Sequence, residues 1–447
     1  MRILSTPTPR GTPARPGAPA PHGARTRPGI PASPRTRVDA SRWPDVARVP
    51  GGSPLRTGAA RWLVVRALAG LPVRLELAGA PVAGQAGPLL RVHDPRAFFR
   101  RIGAHGLIGF GESYMAGEWD ADDLVAVLTV LASHATSLVP RPLQRLRGAW
   151  TRRRPAAYRN TPDGARQNVH RHYDLSNELF ALFLDPTMTY SSAVFPELPA
   201  TWPDLAAAQQ HKIDRLLDLA GVGPGTRLLE IGTGWGELAL RAASRGARVR
   251  TVTLSRAQRD LAAERVRAAG HAERVEVELC DYREVTGVHD AVVSVEMIEA
   301  VGGEYWPVYF ETLRRLLAPG GRIALQAITM AHERMQATRT THTWINKYIF
   351  PGGLIPSAEA VERSARPAGL RVEADDGFGE HYAQTLRLWR ERFTARGDDV
   401  TALGFDATFR RMWEFYLAYS EAGFRSGYLD VRQMLLTAAP AGSGDTR

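Results

Sequence analysis

Hydrophobic and polar positions follow one pattern from about residue 168 to residue 437 and another before it. In the longer part, apolar runs of strand length such as "TRLLEIGTG" and "ARVRTVTLS" alternate with stretches such as "RAQRDLAAERVRAAG", where apolar residues recur at helical spacing. Strands separated by helices of this length predict an α/β domain over residues 168–437, with a parallel sheet covered on both faces. Ligands of such sheets bind beyond the carboxyl ends of the strands.

The preceding part predicts a smaller α+β domain over residues 58–140. "AARWLVVRALAGL" predicts a helix, "VRLELAG" alternates as a strand does, and "ADDLVAVLTVLASH" predicts a later helix. Asp94 is suited to cap a helix whose first residue is Pro95, and Gly103 or Gly106 would end that helix. A glycine-rich aromatic stretch, "GLIGFGESYMAGEW", follows it.

Three segments outside these domains have the composition of irregular chain: residues 1–57, 141–167 and 438–447. The first 40 residues hold nine prolines, and their seven arginines against one aspartate give +6 of the formal net charge of +11. Such a segment buries too little apolar surface to offset the entropy of ordering, so we expect a disordered tail. The tail is either a solvated extension or an arm that rests on anionic lipid headgroups.

Length and composition exclude several classes of protein. The 447 residues suggest more than one domain, and no apolar run is long enough for a membrane span or a secretory signal, so we expect a cytoplasmic protein. The single cysteine, Cys280, excludes an intrachain disulfide and a cysteine zinc site. Only Lys212 and Lys347 are lysines, a bias that we attribute to codon usage. His170 and His172 lack a third ligand in a matching pattern, so we expect no metal there and a lid segment instead.

A glycine-rich turn after the first strand of the α/β domain predicts a nucleotide site. The turn is "EIGTGWG", residues 230–236, and it leads into a helix. It lacks the Gly-Lys-Ser/Thr of a phosphate loop and the glycine spacing of dinucleotide enzymes. The second strand ends in "VTLS" without a carboxylate for a ribose, which argues against a nicotinamide cofactor. S-adenosylmethionine (SAM) is the remaining candidate.

Four motifs in the same order resemble the cyclopropane-fatty-acyl-phospholipid synthase family: "GLIGFGESYMAGEW", "HYDLSNELFALFLDPTMTYSSAVF", "LLEIGTGWGELAL" and "NKYIFPGGLIPS". The likeness runs from about residue 60 to residue 436. "SVEMIEAVG", "LQAITM" and "LAYSEAGFRSGYLDV" are most similar to the actinobacterial tuberculostearic acid methyltransferase branch, which adds a one-carbon branch instead of closing a three-membered ring. The resemblance implies a Rossmann-like SAM methyltransferase sheet with helical insertions that form an acyl tunnel.

The resemblance also implies which residues hold SAM. The expected cofactor residues are Tyr190 and Ser191 in "TYSS", Gly232, Gly234, Trp235 and Gly236 in the glycine turn, Thr253 and Gln258 in "TLSRAQ", and Asp281 and Tyr282 in "CDY". Thr253 and Gln258 replace the usual ribose acid. Asp281 should meet the amino group of the adenine, and Tyr282 should lie against its face.

In the family, a bicarbonate ion serves as the base and is held by a Cys, a Glu, a His, a Tyr and a backbone amide. Glu299 and Tyr382 match two of these ligands, with Glu296 as a rival acid on the same stretch. Ser192 and Gln326 stand where relatives have Cys and His. Both can donate hydrogen bonds to an oxyanion, so the resemblance leaves bicarbonate open as a cofactor. Without the Cys and His, bicarbonate would be held less strongly and proton removal would be slower. The carbocation would then have time for a 1,2-hydride shift, which favours a branched product.

The implied reaction explains the aromatic residues after the sheet. Methyl transfer to a cis double bond leaves a carbocation, which aromatic faces attract and which water must not reach. "TWINKYIFPGG", "HYAQTLRLWRERF" and "RMWEFYLAYSEAGF" are dense in aromatic residues, and we expect a few of their rings to line the acyl tunnel. The expected acceptor is an unsaturated acyl chain of a phospholipid, and the product is a cyclopropane or a methylene- or methyl-branched chain.

Two other functions stay open. A pI of about 10.2 would suit a methyltransferase acting on RNA or a small molecule, but the basic charge lies mainly in the tail, so we expect no nucleic-acid partner. The other alternative is a non-catalytic lipid-binding protein. We expect transient contact with the inner face of the plasma membrane, with the N-terminal domain serving in lipid docking or in a homodimer. A reductase would complete a methyl branch.

Overall fold

The described residues form two β-sheets. The computed structural model describes residues 38–135 apart from 52 and 85, residues 160, 161 and 164, and residues 176–440. Most of the expected linker, the segment with His170 and His172, and the outer parts of both expected tails lie outside these residues.

The first sheet and its helices occupy the N-terminal part. Its elements are α1 (Pro44–Ala47), α2 (Pro54–Ala69), β1 (Arg74–Leu77), β2 (Ala80–Ala83), β3 (Leu89–Val92), α3 (Pro95–His105), α4 (Leu107–Met115), β4 (Trp119–Ala121) and α5 (Leu124–Ser133). The strand order is β2-β1-β3-β4. β1 and β3 pair in parallel, and the two edge strands pair antiparallel to them.

The folded chain begins before residue 58, earlier than the sequence predicts. α1 buries Val46, and the Trp43 indole donates a hydrogen bond to the Asp406 carboxylate at 2.8 Å. The guanidinium of the buried Arg101 donates to the Val46 carbonyl oxygen at 2.6 Å. This segment therefore belongs to the fold and not to the tail, because it supplies a tryptophan and a valine that the core can bury.

Helix α3 begins and ends where the sequence predicts. The Asp94 carboxylate accepts a hydrogen bond from the Ala97 amide at 3.1 Å, which caps the first turn. Of the two glycines considered, Gly106 ends the helix, with a φ of 58°, and Gly103 lies inside it. A Cβ on Gly103 would lie 2.9 Å from the carbonyl oxygen of Arg56, so the glycine lets α2 pack closely against α3.

The second sheet organises the rest of the described chain. Its strands and helices are α6 (Asn177–Phe183), α7 (Leu205–Leu219), β5 (Arg227–Ile231), α8 (Glu237–Ser244), β6 (Arg248–Thr253), α9 (Arg256–Ala268), β7 (Val275–Leu279), β8 (His289–Val295), α10 (Ile298–Val301), α11 (Trp306–Leu316), β9 (Leu317–Met330), α12 (His332–Thr338), α13 (Trp344–Tyr348), α14 (Ala358–Ala365), β10 (Leu370–Gly377), α15 (Gly379–Ala395), α16 (Gly397–Ala402), α17 (Ala407–Arg425) and β11 (Leu429–Ala438). The predicted alternation of strands and helices is confirmed.

The strand order of this sheet, β10-β11-β9-β8-β5-β6-β7, is that of a Rossmann-like methyltransferase sheet. The five strands β5 to β9 are parallel, as predicted. β10 and β11 add an antiparallel edge that the sequence analysis did not predict. The chain leaves β5 towards β6 and returns on its other side at β8, so the carboxyl ends of β5 and β8 flank a switch point where ligands bind.

One apolar core joins the N-terminal sheet to the helices that follow the second sheet. The Trp119 ring lies within 6.3 Å of Phe415 on α17, and Phe415 meets Trp344 on α13 at 4.8 Å between ring centroids. A Cβ on Gly111 would lie 2.4 Å from the Trp344 ring, so the glycine of α4 admits this tryptophan. The glycine-rich motif of the N-terminal part is thus a helix whose small residues permit close packing.

None of the helices formed by the described residues is both long and apolar enough to cross a membrane.

Candidate active site

The glycine turn lies at the carboxyl end of β5. The Gly232 amide donates to the Val252 carbonyl oxygen of β6 at 3.0 Å, which carries the chain past the end of the sheet. Gly232, Gly234 and Gly236 have φ values of 99°, 52° and 92°, in the left-handed region that favours glycine. A Cβ on Gly232 would lie 3.1 Å from the Met297 side chain, so a larger residue would close the turn against the segment after β8.

A cavity opens beside this turn, and nine of the ten expected cofactor residues line it. They are Tyr190, Ser191, Gly232, Gly234, Trp235, Thr253, Gln258, Asp281 and Tyr282. The tenth, Gly236, begins α8 and packs against α9, where a Cβ would lie 3.1 Å from the Ala262 side chain. The Trp235 indole donates to the Asn177 side chain at 2.8 Å, which joins the turn to α6. The structure therefore brings together segments that are far apart in sequence.

After β6, polar side chains stand where many nucleotide-binding enzymes have an acidic residue that binds the ribose. The Thr253 hydroxyl donates to the Gln258 side-chain oxygen at 2.8 Å, and both side chains are buried. Ser255 caps α9 by accepting from the Gln258 amide, which fixes the start of this helix at the cavity. The pair offers hydroxyl and amide groups where the sequence analysis expected ribose contacts.

Arg283 holds the Asp281 carboxylate, a partner that the sequence analysis did not anticipate. Its guanidinium donates to the two carboxylate oxygens at 2.9 and 2.6 Å. The ion pair fixes the orientation of Asp281 at the cavity wall. The Arg283 backbone amide also donates to Oδ1 at 3.0 Å, so one acceptor position, on Oδ2, remains for a ligand amino group. Tyr282 packs edge-on against Tyr309, with 5.5 Å between ring centroids, and burial raises the pKa of Tyr282 to about 12.

Lys212 is a buried cation at the base of the cavity. Its ammonium group donates to the Ser191 hydroxyl at 2.6 Å. Burial lowers the pKa of Lys212 to about 8, and the negative charges of Glu296, Asp185 and Glu230 offset part of this decrease. The attribution of the scarce lysines to codon usage missed this role. The available signal was that Lys212 is one of only two lysines in a chain that otherwise uses arginine.

Glu230 is the acid that precedes the glycine turn, and it is buried. Its carboxylate accepts from the Thr251 hydroxyl at 2.6 Å, and Thr251 also contacts the Thr233 hydroxyl at 2.7 Å. Burial raises the pKa of Glu230 to about 8.

Glu296 is the centre of a second cluster at the edge of the same cavity. Its Oε1 atom accepts from the Ser192 backbone amide at 2.9 Å and from the Gln326 side-chain amide at 2.8 Å. Its Oε2 atom accepts from the Tyr382 hydroxyl at 2.6 Å. We call Glu296, Ser192, Gln326 and Tyr382 the Glu296 cluster. Three of the four residues that the sequence analysis expected around a base therefore meet, and the acid that they bind is Glu296.

Glu299, the acid favoured by the sequence analysis, lies apart from this cluster. Its Oε1 atom accepts from the Ile328 backbone amide of β9, and its Oε2 atom is buried without a hydrogen-bond partner among the described residues. Burial, reinforced by the negative charge of Glu296, raises the pKa of Glu299 to about 8. The structure thus places the carboxylate of the rival acid, Glu296, among the other three expected residues, and its left-handed backbone, with a φ of 49°, lies directly after β8.

The expected bicarbonate ligands do not fit that ion in this structure. The Ser192, Gln326 and Tyr382 donors all bind the Glu296 carboxylate. The Ser192 hydroxyl, which replaces the thiol of relatives, donates to the Ala193 carbonyl oxygen at 3.0 Å. A protein carboxylate occupies the place where a free anion was expected.

Aromatic side chains of α15 and α17 surround the Glu296 cluster. Tyr382 stacks obliquely on Phe424 with 4.6 Å between centroids, and Tyr190 stacks similarly on Trp389 at 5.3 Å. The hydroxyl groups of Tyr190 and Tyr416 lie 2.7 Å apart. The cavity thus passes from a polar glycine turn to a wall that includes the rings of Tyr190 and Phe350, and the rings of α15 and α17 pack behind that wall.

No group of three side chains suited to a metal ion occurs in the part of the chain that the structure describes. His170 and His172 lie outside that part, so the expectation about them is not tested.

Known proteins match this chain over most of its length. The family model described as mycolic acid cyclopropane synthetase matches residues 160–434. The chain is 56% identical to tuberculostearic acid methyltransferase UfaA1 of Mycobacterium tuberculosis, over 90% of this chain and 97% of that protein. It is 34% identical to cyclopropane-fatty-acyl-phospholipid synthase of Escherichia coli K12, over 81% of this chain and 91% of that protein.

Among solved structures, the chain is similar to the mycolic acid cyclopropane synthase CmaA1 complexed with SAH and CTAB. The TM-score is 0.56 and the identity 33%, over 61% of this chain and 97% of that one.

Proposed function

Because the chain belongs to the mycolic acid cyclopropane synthetase family, we propose that it transfers the methyl group of SAM to the cis double bond of an unsaturated acyl chain in a phospholipid. The product is a cyclopropane or a methylene- or methyl-branched chain of the 10-methylstearoyl type. The observation that carries the proposal is that Glu296 lines the same cavity as Gly232 and Gly234. An anionic, aromatic-walled pocket therefore adjoins a nucleotide turn.

The residues around the turn fit SAM. Positive φ values at Gly232 and Gly234 let a ligand approach the backbone closely. Thr253 and Gln258 would take the ribose, and Tyr282 would lie against the adenine. Bound SAM supplies a methyl group on a positively charged sulfur.

The wall of rings suits the acceptor half of the reaction. A double bond is a weak nucleophile, so the acyl chain must be held with one alkene carbon about 3–3.5 Å from the methyl group. The positive charge that follows is attracted by the Glu296 carboxylate and by the rings of Tyr190 and Phe350, all of which line the cavity. The buried rings of Tyr382 and Trp389 pack behind this wall and exclude water that would convert the cation into an alcohol.

We propose that the acceptor reaches this cavity from the inner face of the plasma membrane, through an exposed surface on α2 and α4. Leu55, Trp62 and Leu107 are 85%, 54% and 76% exposed. α2 is packed against the end of α3, directly before Leu107, and Arg66 lies over the Trp62 ring at 5.2 Å. Apolar side chains with adjacent arginines suit an anionic lipid surface.

We expect Leu107→Ser combined with Trp62→Ala to weaken cosedimentation with anionic vesicles by about 10-fold, since about 1.4 kcal/mol of lost apolar burial corresponds to that factor. Leu403→Ser, which changes another exposed leucine, is the matched control and should leave vesicle binding unchanged. Unchanged binding of the double variant, with a dimer lost instead, would show that the surface joins two copies of the chain.

A methylene product needs a hydride and a proton to become a methyl branch. For that outcome we propose a separate hydride-donating reductase as a partner.

Vesicles with cis-unsaturated chains test the proposed function directly. We expect purified protein to transfer label from methyl-labelled SAM into the fatty acids of dioleoyl phosphatidylglycerol and not into those of its saturated dipalmitoyl counterpart. NMR of the released fatty acids separates cyclopropane protons from vinylidene protons. Equal labelling of both lipids, or labelling of the headgroup alone, would contradict the proposal.

A further inference from the structure

We infer that Glu296 is the general base of the proposed reaction, a carboxylate of the chain itself at the place where the family resemblance puts bicarbonate. This inference rests on the proposed function, since it names the group that completes that reaction. It is carried by the hydrogen bonds of the Glu296 cluster, which converge on one carboxylate.

The hydrogen bonds hold the carboxylate in one orientation and leave it one acceptor position. A carboxylate offers about four lone-pair sites. Ser192 and Gln326 use two on Oε1, and Tyr382 uses one on Oε2. The remaining site belongs to Oε2, and Glu296 is one of the residues that line the cavity. An acceptor position thus remains for a proton that arrives from within the cavity.

Glu299 lacks these properties. It is not among the residues that line the cavity, and the Ile328 amide holds one of its oxygens at the end of β9. Burial and the charge of Glu296 raise its pKa to about 8. Of the two neighbouring acids, Glu296 has the donors that stabilise an anion, and burial raises its pKa in a direction that suits a base.

The proton transfer completes the reaction, with every atom and electron pair accounted for. When the methyl group bonds to one alkene carbon, its bond to sulfur breaks, SAH remains, and the neighbouring carbon becomes positive. Glu296 Oε2 then takes a proton from the new methyl group, and the freed C–H electron pair forms a bond to the positive carbon, which gives a cyclopropane. If a 1,2-hydride shift comes first, the positive charge moves to the carbon that bears the new methyl group. The same C–H electron pair then forms the double bond of a methylene branch. In both cases Glu296 ends as a carboxylic acid that returns its proton to solvent.

The backbone at Glu296 supports a functional reason for this residue. Its φ of 49° lies in the left-handed region, which disfavours residues with a Cβ. Strained residues of this kind persist at sites where the strained position serves function. A glycine would adopt this turn more easily but would leave the three donors without their acceptor.

Activity measured without dissolved carbon dioxide tests the inference. In bicarbonate-free buffer with dioleoyl phosphatidylglycerol vesicles, we expect wild-type activity to be unchanged. Glu296→Gln, which keeps the shape of the side chain, should lower kcat at least about 100-fold, the usual contribution of a general base. SAM affinity should stay within about 2-fold of wild type, because the glycine turn is intact. Glu296→Gly, which suits the left-handed turn, should regain activity when formate or bicarbonate is added.

Two comparisons separate the outcomes. Glu197→Gln, at an exposed position, controls for the loss of an acid and should keep full activity. A bicarbonate requirement of the wild type, or similar activity of Glu296→Gln and wild type, would overturn the inference and leave the proposed function intact. A wild-type protein that labels no unsaturated lipid would overturn the proposed function and the inference together.

Discussion

Gly234→Val is expected to abolish SAM binding while the protein stays folded. No atom lies within 4 Å of a Cβ built on Gly234, and this glycine lines the cavity, so the valine side chain would occupy ligand space. The φ of 52° costs a residue with a Cβ about 1–2 kcal/mol, which is small against the stability of a domain. We expect the Kd for SAM, measured by calorimetry, to rise at least about 100-fold.

Gly270→Val is the matched control. Gly270 also has a positive φ, 74°, and open space around a Cβ, but it lies after α9 and away from the cavity. It imposes a similar backbone strain without filling the site, so SAM binding should be unchanged. Equal loss of SAM binding in both variants, or normal binding by Gly234→Val, would mean that the cavity beside the turn is not the SAM site.

Lys347→Met is expected to destabilise the contact between the N-terminal part and the catalytic part. The ammonium group of Lys347 on α13 lies 2.5 Å from the carboxylate of Glu112 on α4, which is fully buried, and 2.7 Å from that of Asp45. Removing the cation leaves a buried anion whose remaining side-chain partners, among the residues that the structure describes, are Tyr348 and His105. We expect the free energy of unfolding, from urea denaturation, to fall by about 3 kcal/mol.

A double variant distinguishes a lost ion pair from lost packing. Glu112→Gln in addition to Lys347→Met removes the uncompensated charge and should recover part of the stability. Activity should fall and recover together with stability. Lys347 lies three residues before Phe350, which lines the cavity together with Gly353. If the double variant is no more stable than Lys347→Met, the ion pair does not couple the two parts.

Most of the fold could be predicted because it follows from local patterns. The mainly apolar run "RLLEI" predicted β5, and the Asp94 cap predicted the start of α3. The antiparallel edge was missed because β10 exposes most of its residues, so "RVEADDG" has no clear apolar alternation. The helix α4 was not predicted because glycines usually interrupt helices, whereas here Gly109 and Gly111 allow contacts that a Cβ would block.

The cofactor residues were expected from the family resemblance, which did not decide between the two acids. Nine of the ten share one cavity, and those at the carboxyl ends of β5, β6 and β7 meet there because these strands are parallel. Choosing between Glu296 and Glu299 depends on a single left-handed residue after β8, which no local propensity indicates for a glutamate. The buried charges of Lys212 and Lys347 depend on long-range packing and carry no local pattern either.

The most direct test of the account uses SAM with a fully deuterated methyl group, dioleoyl phosphatidylglycerol vesicles and analysis of the released fatty acids by NMR and mass spectrometry. We expect acyl chains that gain one carbon at the former double bond and retain two of the three deuterium atoms, because a base removes the third. Acyl chains that keep all three, or label found only outside the acyl chains, would contradict it.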